Sequence, residues 1–214
     1  DTGGSISFKE DEWKKKKEYH ITDSTITFLK SIGVRKINYL VLTHGDADHM
    51  GEAINLVNNF KVEKVIFNCG EYNALEKELN INDNKLYFLQ TKEYVNENDN
   101  SNVNYIEISD YKFLFMGDAS VTTEKEILDK YNLPNIDVLK VSHHGSKTSS
   151  GKNFIDEISP KYSIISVGKN NRYGHPNNNV LNNLEGSKIY RTDLDGSIEI
   201  KFNKNGYKIS ICPP

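Results

Sequence analysis

Four side chains that can bind metal ions lie within the six residues His44-Gly45-Asp46-Ala47-Asp48-His49. One ion usually takes fewer ligands than this from so short a stretch, so the spacing favours two metal ions that share one site. Asp118, which follows another predicted strand, is well suited to bridge two ions through its two carboxylate oxygens. Paired ions of this kind activate water for hydrolysis. The sequence therefore predicts a dinuclear metal site.

Two further histidine clusters also follow predicted strands. A strand over residues 136–142 runs into His143-His144-Gly145-Ser146, and a strand over 162–168 precedes a loop with Tyr173-Gly174-His175-Pro176. Near metal ions, His175 could stabilise a phosphoryl oxyanion or protonate a leaving alkoxide. The alternative is a loop histidine that is hydrogen-bonded to the backbone.

Helices and strands that would position these clusters alternate along the chain. We expect a helix capped by Asp23 and ended by Gly33, and a helix with capping-box spacing between Thr123 and Glu126. A nearly continuous apolar run over 37–43 predicts a strand buried on both faces, directly before His44. The other predicted elements are strands over 62–68, 86–89, 103–108 and 111–116, a helical turn at Leu75–Leu79, and a hairpin at Asn205-Gly206.

Length and composition limit the class of protein. The 214 residues fit one globular domain over 1–214, and the net charge of −3 gives no overall attraction for nucleic acid or anionic membranes. A polyanion would have to be held locally, and the Lys14–Lys17 run is flanked by acidic residues as a solvated surface would be. Mean hydropathy is −0.62, and no apolar run approaches the roughly 20 residues of a transmembrane helix. Two cysteines, Cys69 and Cys212, exclude a disulfide scaffold and a four-cysteine zinc site.

The motifs together resemble the metallo-β-lactamase superfamily. They are D-T-G at 1–3, T-H-G-D-A-D-H at 43–49, G-D at 117–118 and H-G at 144–145. With N-x-x-S at 98–101, S-H-H-G-S at 142–146 and Y-G-H-P at 173–176, the chain is similar to one branch. That branch is the hydrolase domain of ComEC-type DNA-uptake channels and its stand-alone relatives, and the resemblance covers essentially the whole chain.

This resemblance implies an α/β fold, an αββα four-layer sandwich, with two divalent ions, zinc or manganese, at one edge. It assigns His44 and Asp46 to one metal, Asp48 and His49 to the second, Asp118 to both, and His144 to the second. The neighbouring His143 is the alternative ligand to His144. Asp48 and His175 are the expected catalytic residues.

The chain departs from true β-lactamases of this superfamily in two places. Those enzymes carry histidine at the position of Asp46 and another in the middle of the chain, whereas no histidine lies between His49 and His143. Asn98 or Asn100 in the matching stretch would be a weak ligand or a turn residue. A ligand set with more oxygen atoms and fewer imidazole nitrogens shifts the metal preference of the site from zinc towards manganese, without excluding zinc. It also favours a phosphoesterase over a β-lactamase.

Three other side chains are candidates for substrate binding. Ser146, with Thr148, could donate hydroxyl groups to a phosphate or could cap the following helix. Tyr173 belongs to the loop of His175. Arg191 could reach the substrate or could form a structural ion pair with Asp193.

The expected function is a dinuclear-metal hydrolase, a phosphodiesterase or nuclease, that binds nucleic acid or another phosphodiester. The alternatives are an ester, lactone, lactam or phosphocholine hydrolase, and a metal- or DNA-binding module without catalysis. The opening Asp1-Thr2-Gly3-Gly4 has no preceding strand, so a first strand and further chain, such as a channel or membrane anchor, are expected upstream. The resemblance favours an extracytoplasmic location.

Overall fold

The computed structural model describes residues 1–4, 20–67, 78–82, 84–133, 135–203 and 206–213. The chain divides into two compact units, Asp1–Ala74 and Leu75–Pro214. The Lys14–Lys17 run, Cys69 and Asn205 lie outside the described residues. Within the described ranges, no helix has the length and apolar character needed to cross a membrane.

The described residues of the first unit form two parallel strands and three helices. Its elements are α1 (Ile21–Ser31), β1 (Ile37–Leu42), α2 (Ala47–Met50), α3 (Ala53–Asn59) and β2 (Val62–Phe67). Strand β1 pairs with β2 from Ile37–Val62 to Leu42–Phe67. Leu40 and Leu42 face a core shared with Ile26, Leu56 and Phe60. The N-cap of helix α1 is His20 rather than the predicted Asp23. Asp23 lies in the first turn, where a carboxylate interacts favourably with the helix dipole.

Only one face of β1 is buried. Leu40 and Leu42 are buried, whereas Tyr39 on the opposite face is exposed. The predicted strand is therefore confirmed, but its predicted burial on both faces is wrong, because the alternation of a strand places Leu40 and Leu42 together and Tyr39 apart from them.

The second unit is built on a seven-stranded mixed sheet with the order β3-β4-β5-β6-β7-β8-β9. Strands β3 to β6 are antiparallel neighbours and β6 to β9 are parallel. The sheet strands are β3 (Glu78–Ile81), β4 (Asn84–Phe88), β5 (Asn104–Ile108), β6 (Tyr111–Phe115), β7 (Val138–Lys140), β8 (Tyr162–Ile165) and β9 (Lys188–Arg191). Parallel β6, β7 and β8 end at the same edge of the sheet, so the loops that follow them are neighbours.

Helices α4 (Val121–Lys130), α5 (Lys152–Ile158) and α6 (Asn178–Asn183) connect these strands, and α7 (Thr192–Asp195) is a single turn after β9. Leu114, Leu139 and Ile165 pack with Ile127 and Ile158 in the main core. The C-terminal β10 (Ser197–Asn203) and β11 (Gly206–Cys212) form an antiparallel hairpin, as predicted.

Two local predictions in this unit are wrong. Leu79 lies on β3 rather than in a helical turn, because pairing with β4 places it opposite Leu86. The cap of α4 is Ser120, whose hydroxyl accepts the Thr122 N–H at 3.2 Å. Thr123 instead donates its hydroxyl to Asp99 Oδ1 at 2.9 Å.

Buried Glu124 joins helix α4 to the segment that precedes α5. Its carboxylate accepts the N–H groups of Ser150 at 2.5 Å and Gly151 at 2.8 Å. Burial raises the pKa of Glu124 to about 7, although the two backbone hydrogen bonds oppose that rise. The proton is therefore held more tightly in the folded than in the unfolded chain.

This raised pKa predicts a specific pH dependence of stability. A carboxyl group with a folded pKa of about 7, above its unfolded value of 4.5, stabilises the fold fully below the unfolded pKa and loses that contribution as pH rises through 7. The free energy of unfolding should fall between pH 5 and pH 8 more steeply in the parent than in Glu124→Gln, measured by urea unfolding. Equal slopes in the two proteins would contradict the assignment.

Candidate functional site

The first unit carries a compact set of metal-competent side chains directly after β1. His44 and His49 are buried, with ring centroids 4.1 Å apart. Asp46 precedes α2 as its N-cap and Asp48 lies in its first turn. Because α2 begins immediately after the strand, it brings His49 back beside His44. His44 Nε2 lies 3.6 Å from Asp46 Oδ2.

Asp1 and Thr43 fix the orientation of both imidazole rings. His49 Nδ1 lies 3.0 Å from Asp1 Oδ2 and 3.2 Å from Thr43 Oγ1. His44 Nδ1 lies 3.1 Å from the same hydroxyl. Asp1 Oδ1 in turn accepts the Thr43 N–H at 2.7 Å. Engagement of Nδ1 directs Nε2 away from this network, which is the usual arrangement of a histidine that ligates a metal.

The second unit places Asp118 beside two histidines. Asp118 follows β6 and is buried, and its N–H donates to Ser101 Oγ at 3.0 Å. His143 and His144 lie in a 3₁₀ turn after β7 with left-handed φ values of 46° and 53°. Such conformations cost about 1–3 kcal/mol each and are concentrated at functional sites. They bring His143 Nε2 and His144 Nε2 to 3.7 Å and 3.8 Å from Asp118 Oδ2.

A backbone contact distinguishes the two adjacent histidines. His144 Nδ1 lies 2.7 Å from the carbonyl oxygen of Ser166, which can only accept, so Nδ1 carries the proton and Nε2 is the acceptor in the neutral ring. His143 instead faces His175, with ring centroids 6.0 Å apart. The fixed tautomer supports His144 as the metal ligand of the pair.

The donor atoms in each unit fit a divalent ion. Two ligand atoms that each lie about 2.0–2.2 Å from one ion are about 3–4 Å apart. The His44–Asp46 pair and the His144–Asp118 pair, at 3.6 Å and 3.8 Å, have this separation. Imidazole nitrogen with carboxylate oxygen is a set that suits zinc and manganese. Each unit thus has histidine and aspartate groups that could hold a metal ion.

The loop after β8 holds His175 within the second unit. Asn171 accepts the His175 N–H at 2.9 Å and donates to the His175 carbonyl oxygen at 2.7 Å. Asn177 N–H donates to the carbonyl oxygen of Gly145 at 2.8 Å, so this loop is tied to the one that carries His143 and His144. A Cβ on Gly145 would lie 2.6 Å from Pro176 Cβ, so the close approach requires glycine.

The electrostatic surroundings of His175 favour its neutral form. Burial lowers its pKa, the coulombic interactions with His143 and His144 lower it further, and Asp118 partly opposes them. A neutral imidazole can accept a proton or donate one N–H.

Other predicted substrate contacts have local structural partners. Ser146 Oγ lies 3.0 Å from Thr148 Oγ1, and α5 begins at Lys152 behind Gly151, so neither hydroxyl caps that helix. Arg191 forms a two-pronged ion pair with Asp193, at 3.0 Å from Nε and 2.6 Å from Nη2. The structural alternative for Arg191 is therefore observed.

The segment at 98–101 supports the site through hydrogen bonds that the sequence did not reveal. Asn100 Oδ1 accepts the Tyr94 N–H at 2.7 Å and the Gln90 side-chain amide at 3.1 Å, as expected of a turn residue. Asp99 accepts the Ser120 N–H at 3.0 Å. With Ser101 bonded to Asp118, this turn positions the chain on both sides of Asp118, and the N-x-x-S motif was the only signal of that role.

Comparison with known proteins identifies relatives along most of the chain. A family model described as "Metallo-beta-lactamase superfamily" matches residues 1–169. ComE operon protein 3 of Bacillus subtilis (strain 168) is 33% identical over 243 residues, which cover 100% of this chain and 31% of that protein. Competence protein ComA of Neisseria gonorrhoeae is 33% identical over 190 residues, 84% of this chain and 27% of that protein. These matches confirm the resemblance inferred from the motifs.

Recombination protein 2 of Haemophilus influenzae (strain ATCC 51907 / DSM 11121 / KW20 / Rd) is 29% identical over 182 residues, 79% of this chain and 23% of that protein. The chain thus spans about a third or less of the length of these relatives. Among solved structures, a mutant of the CmlA beta-hydroxylase matches with a TM-score of 0.51 at 11% identity, over 73% of this chain and 43% of that chain. With the family match, this likeness confirms the predicted α/β fold class.

The contact between Asp1 and His49 predicts a loss of metal affinity on neutralisation of Asp1. Asp1→Asn should weaken zinc binding about 10- to 100-fold, because the carboxylate that orients His49 becomes an amide. Competition with a chromophoric chelator measures this change. Asp23→Asn, an exposed position on α1, is the control and should bind zinc as the parent does. Unchanged affinity in Asp1→Asn would contradict the role of Asp1.

Proposed function

We propose that this chain, which belongs to the metallo-beta-lactamase superfamily, is a metal-dependent phosphodiesterase that cleaves nucleic acid. Members of the superfamily are usually hydrolytic metalloenzymes. The observation that carries the proposal is the pairing of carboxylate oxygen with imidazole nitrogen at metal-binding separations in both units. The alternatives differ in substrate rather than in fold.

In this proposal two divalent ions, zinc or manganese, are bound. His44 and Asp46 would hold one ion, Asp48 and His49 would hold the other, Asp118 would contribute to both, and His144 would complete the second set. When bound, the ions supply Lewis acidity, which lowers the pKa of water and neutralises charge on a phosphoryl oxygen. The oriented Nδ1 atoms of His44, His49 and His144 support these assignments.

The protein's own residues orient the ligands and move a proton. Ser101 and the turn after β6 hold Asp118, while Ser166 holds His144 in one tautomer. Burial and the neighbouring histidines lower the pKa of His175 and favour its neutral form. Neutral His175 can take up the proton that the attacking water releases and return it to the leaving oxygen. The His175 ring lies 6.0 Å from the His143 ring. In this proposal His143 positions His175 and does not bind a metal ion.

The choice of a phosphodiester rests on two arguments. Aspartate at position 46, where true β-lactamases of the superfamily carry histidine, makes the ligand set richer in oxygen and weakens the case for a β-lactam substrate. The names of three relatives contain the words competence, recombination or ComE, and competence and recombination are processes that act on DNA. Because this chain spans only part of those proteins, their activities extend to it only as part of this proposal.

The proposal predicts cleavage of end-labelled single-stranded DNA by the manganese-loaded protein. Asp118→Asn should reduce the cleavage rate by at least about a hundredfold, more than the 10- to 100-fold typical of a residue that only supports a ligand. Asp129→Asn on the exposed face of α4 makes the same chemical change away from the site and should cleave as the parent does.

The outcomes separate the candidate functions. Full cleavage by Asp118→Asn would exclude this site as the source of activity. No cleavage by a parent that binds two ions would contradict the nuclease proposal and favour a small ester, lactone, lactam or phosphocholine substrate. Binding of one ion or none, measured by elemental analysis of the purified protein, would favour a module without catalysis.

A further inference from the structure

Tyr173 presents an exposed aromatic ring on the loop that carries His175. The residue is 66% exposed, which is unusual for a ring of this size. The Tyr173 and His175 rings are nearly parallel, at 19° with centroids 5.8 Å apart. Arg172 Cζ lies 5.0 Å from the Tyr173 ring centroid, and its guanidinium donates to the Tyr173 hydroxyl at 2.8 Å.

The backbone of the loop that carries this ring is held by hydrogen bonds before any ligand arrives. The Asn171 side chain bonds to the backbone at both ends of the segment, donating to Gly168 at 3.2 Å and to His175 at 2.7 Å. Neighbouring Asn177 is bonded to Gly145. An aromatic ring that is fixed before binding loses little conformational entropy when a ligand stacks on it.

The rings lead from Tyr173 towards the candidate metal ligands of the second unit. Tyr173 is next to His175, and His175 is 6.0 Å from His143. His143 Nε2 is 3.7 Å from Asp118 Oδ2. A planar group on Tyr173 would therefore extend a row of rings that leads through His175 and His143 to Asp118.

The charge of these loops is opposite to that of the whole chain. Residues 142–151 and 166–184 contain Lys147, Lys169 and Arg172 and no aspartate or glutamate, whereas the chain has a net charge of −3. All three cations are exposed. Positive charge together with an exposed aromatic ring is typical of sites that bind single-stranded nucleic acid. The phosphates of the backbone contact the cations, and the bases stack on the ring.

We propose that Tyr173 is a stacking platform for a nucleobase next to the scissile phosphate, and that Arg172, Lys147 and Lys169 contact the adjoining phosphates. This inference rests on the proposed function, because it assigns the substrate of that site to single-stranded nucleic acid. Paired bases inside a duplex do not offer a face to Tyr173. A quaternary ammonium head group, which also binds aromatic rings, is disfavoured because the cation of Arg172 already lies against this ring.

Binding to two oligonucleotides tests the stacking directly. The probes are a fluorescein-labelled dT12 and an abasic 12-mer, both with phosphorothioate linkages that resist cleavage, and the readout is fluorescence anisotropy with the metal-loaded full chain. The parent should bind dT12 more tightly than the abasic strand. Tyr173→Leu should weaken dT12 binding about 5- to 150-fold, the range that loss of one stacked base produces. Binding of the abasic strand should not change.

Tyr173→Phe is the conservative variant, since it keeps the ring and loses only the hydroxyl that accepts from Arg172, and it should retain the preference for dT12 over the abasic strand. Equal affinity of the parent for the two strands, or an equal loss on both in Tyr173→Leu, would overturn the stacking assignment. Cleavage of unmodified DNA is measured separately. A parent that prefers dT12 through Tyr173 but never cleaves DNA would contradict the proposed function and leave stacking in place.

Discussion

The parallel alignment of β6, β7 and β8 is the constraint on which the second unit depends. Hydrogen bonding in register forces the three strands to end at one edge, and the residues that follow are Asp118, the His143-His144 turn and the His175 loop. Within each loop, short polar contacts then fix the side chains, as Ser101 does for Asp118 and Ser166 does for His144. The sheet brings the three loops together, and these hydrogen bonds fix the positions of the side chains that the loops carry.

The two units orient histidine in different ways. In the first, a carboxylate and a hydroxyl, from Asp1 and Thr43, engage the Nδ1 atoms, and a carboxylate partner makes an imidazole a stronger base. In the second, a neutral backbone carbonyl holds His144. The histidines are therefore held by partners of different charge, even though each presents Nε2 as its candidate ligand atom.

The sequence predicted the fold class and the positions of the histidine and aspartate clusters because both depend on local order along the chain. A buried strand followed at once by polar residues is visible in the residues themselves. Asp1 with His49, Ser101 with Asp118 and Glu124 with Ser150 were not predicted as contacts, because each joins residues 17 or more positions apart. The cap of α4 was misassigned since Thr123 had a distant competing partner in Asp99, which short-range spacing does not reveal.

Asn171 closes its segment on itself, with bonds to Gly168 and to His175. The backbone conformation of residues 169–174 is therefore fixed by hydrogen bonds within the segment. Asp118 and His144, by contrast, are held by residues that are distant in the sequence. Sequence can change between Asn171 and His175 without disturbing the groups that hold Asp118 and His144. Such a division would let the proposed site acquire new substrates in evolution by exchange of a single short surface loop.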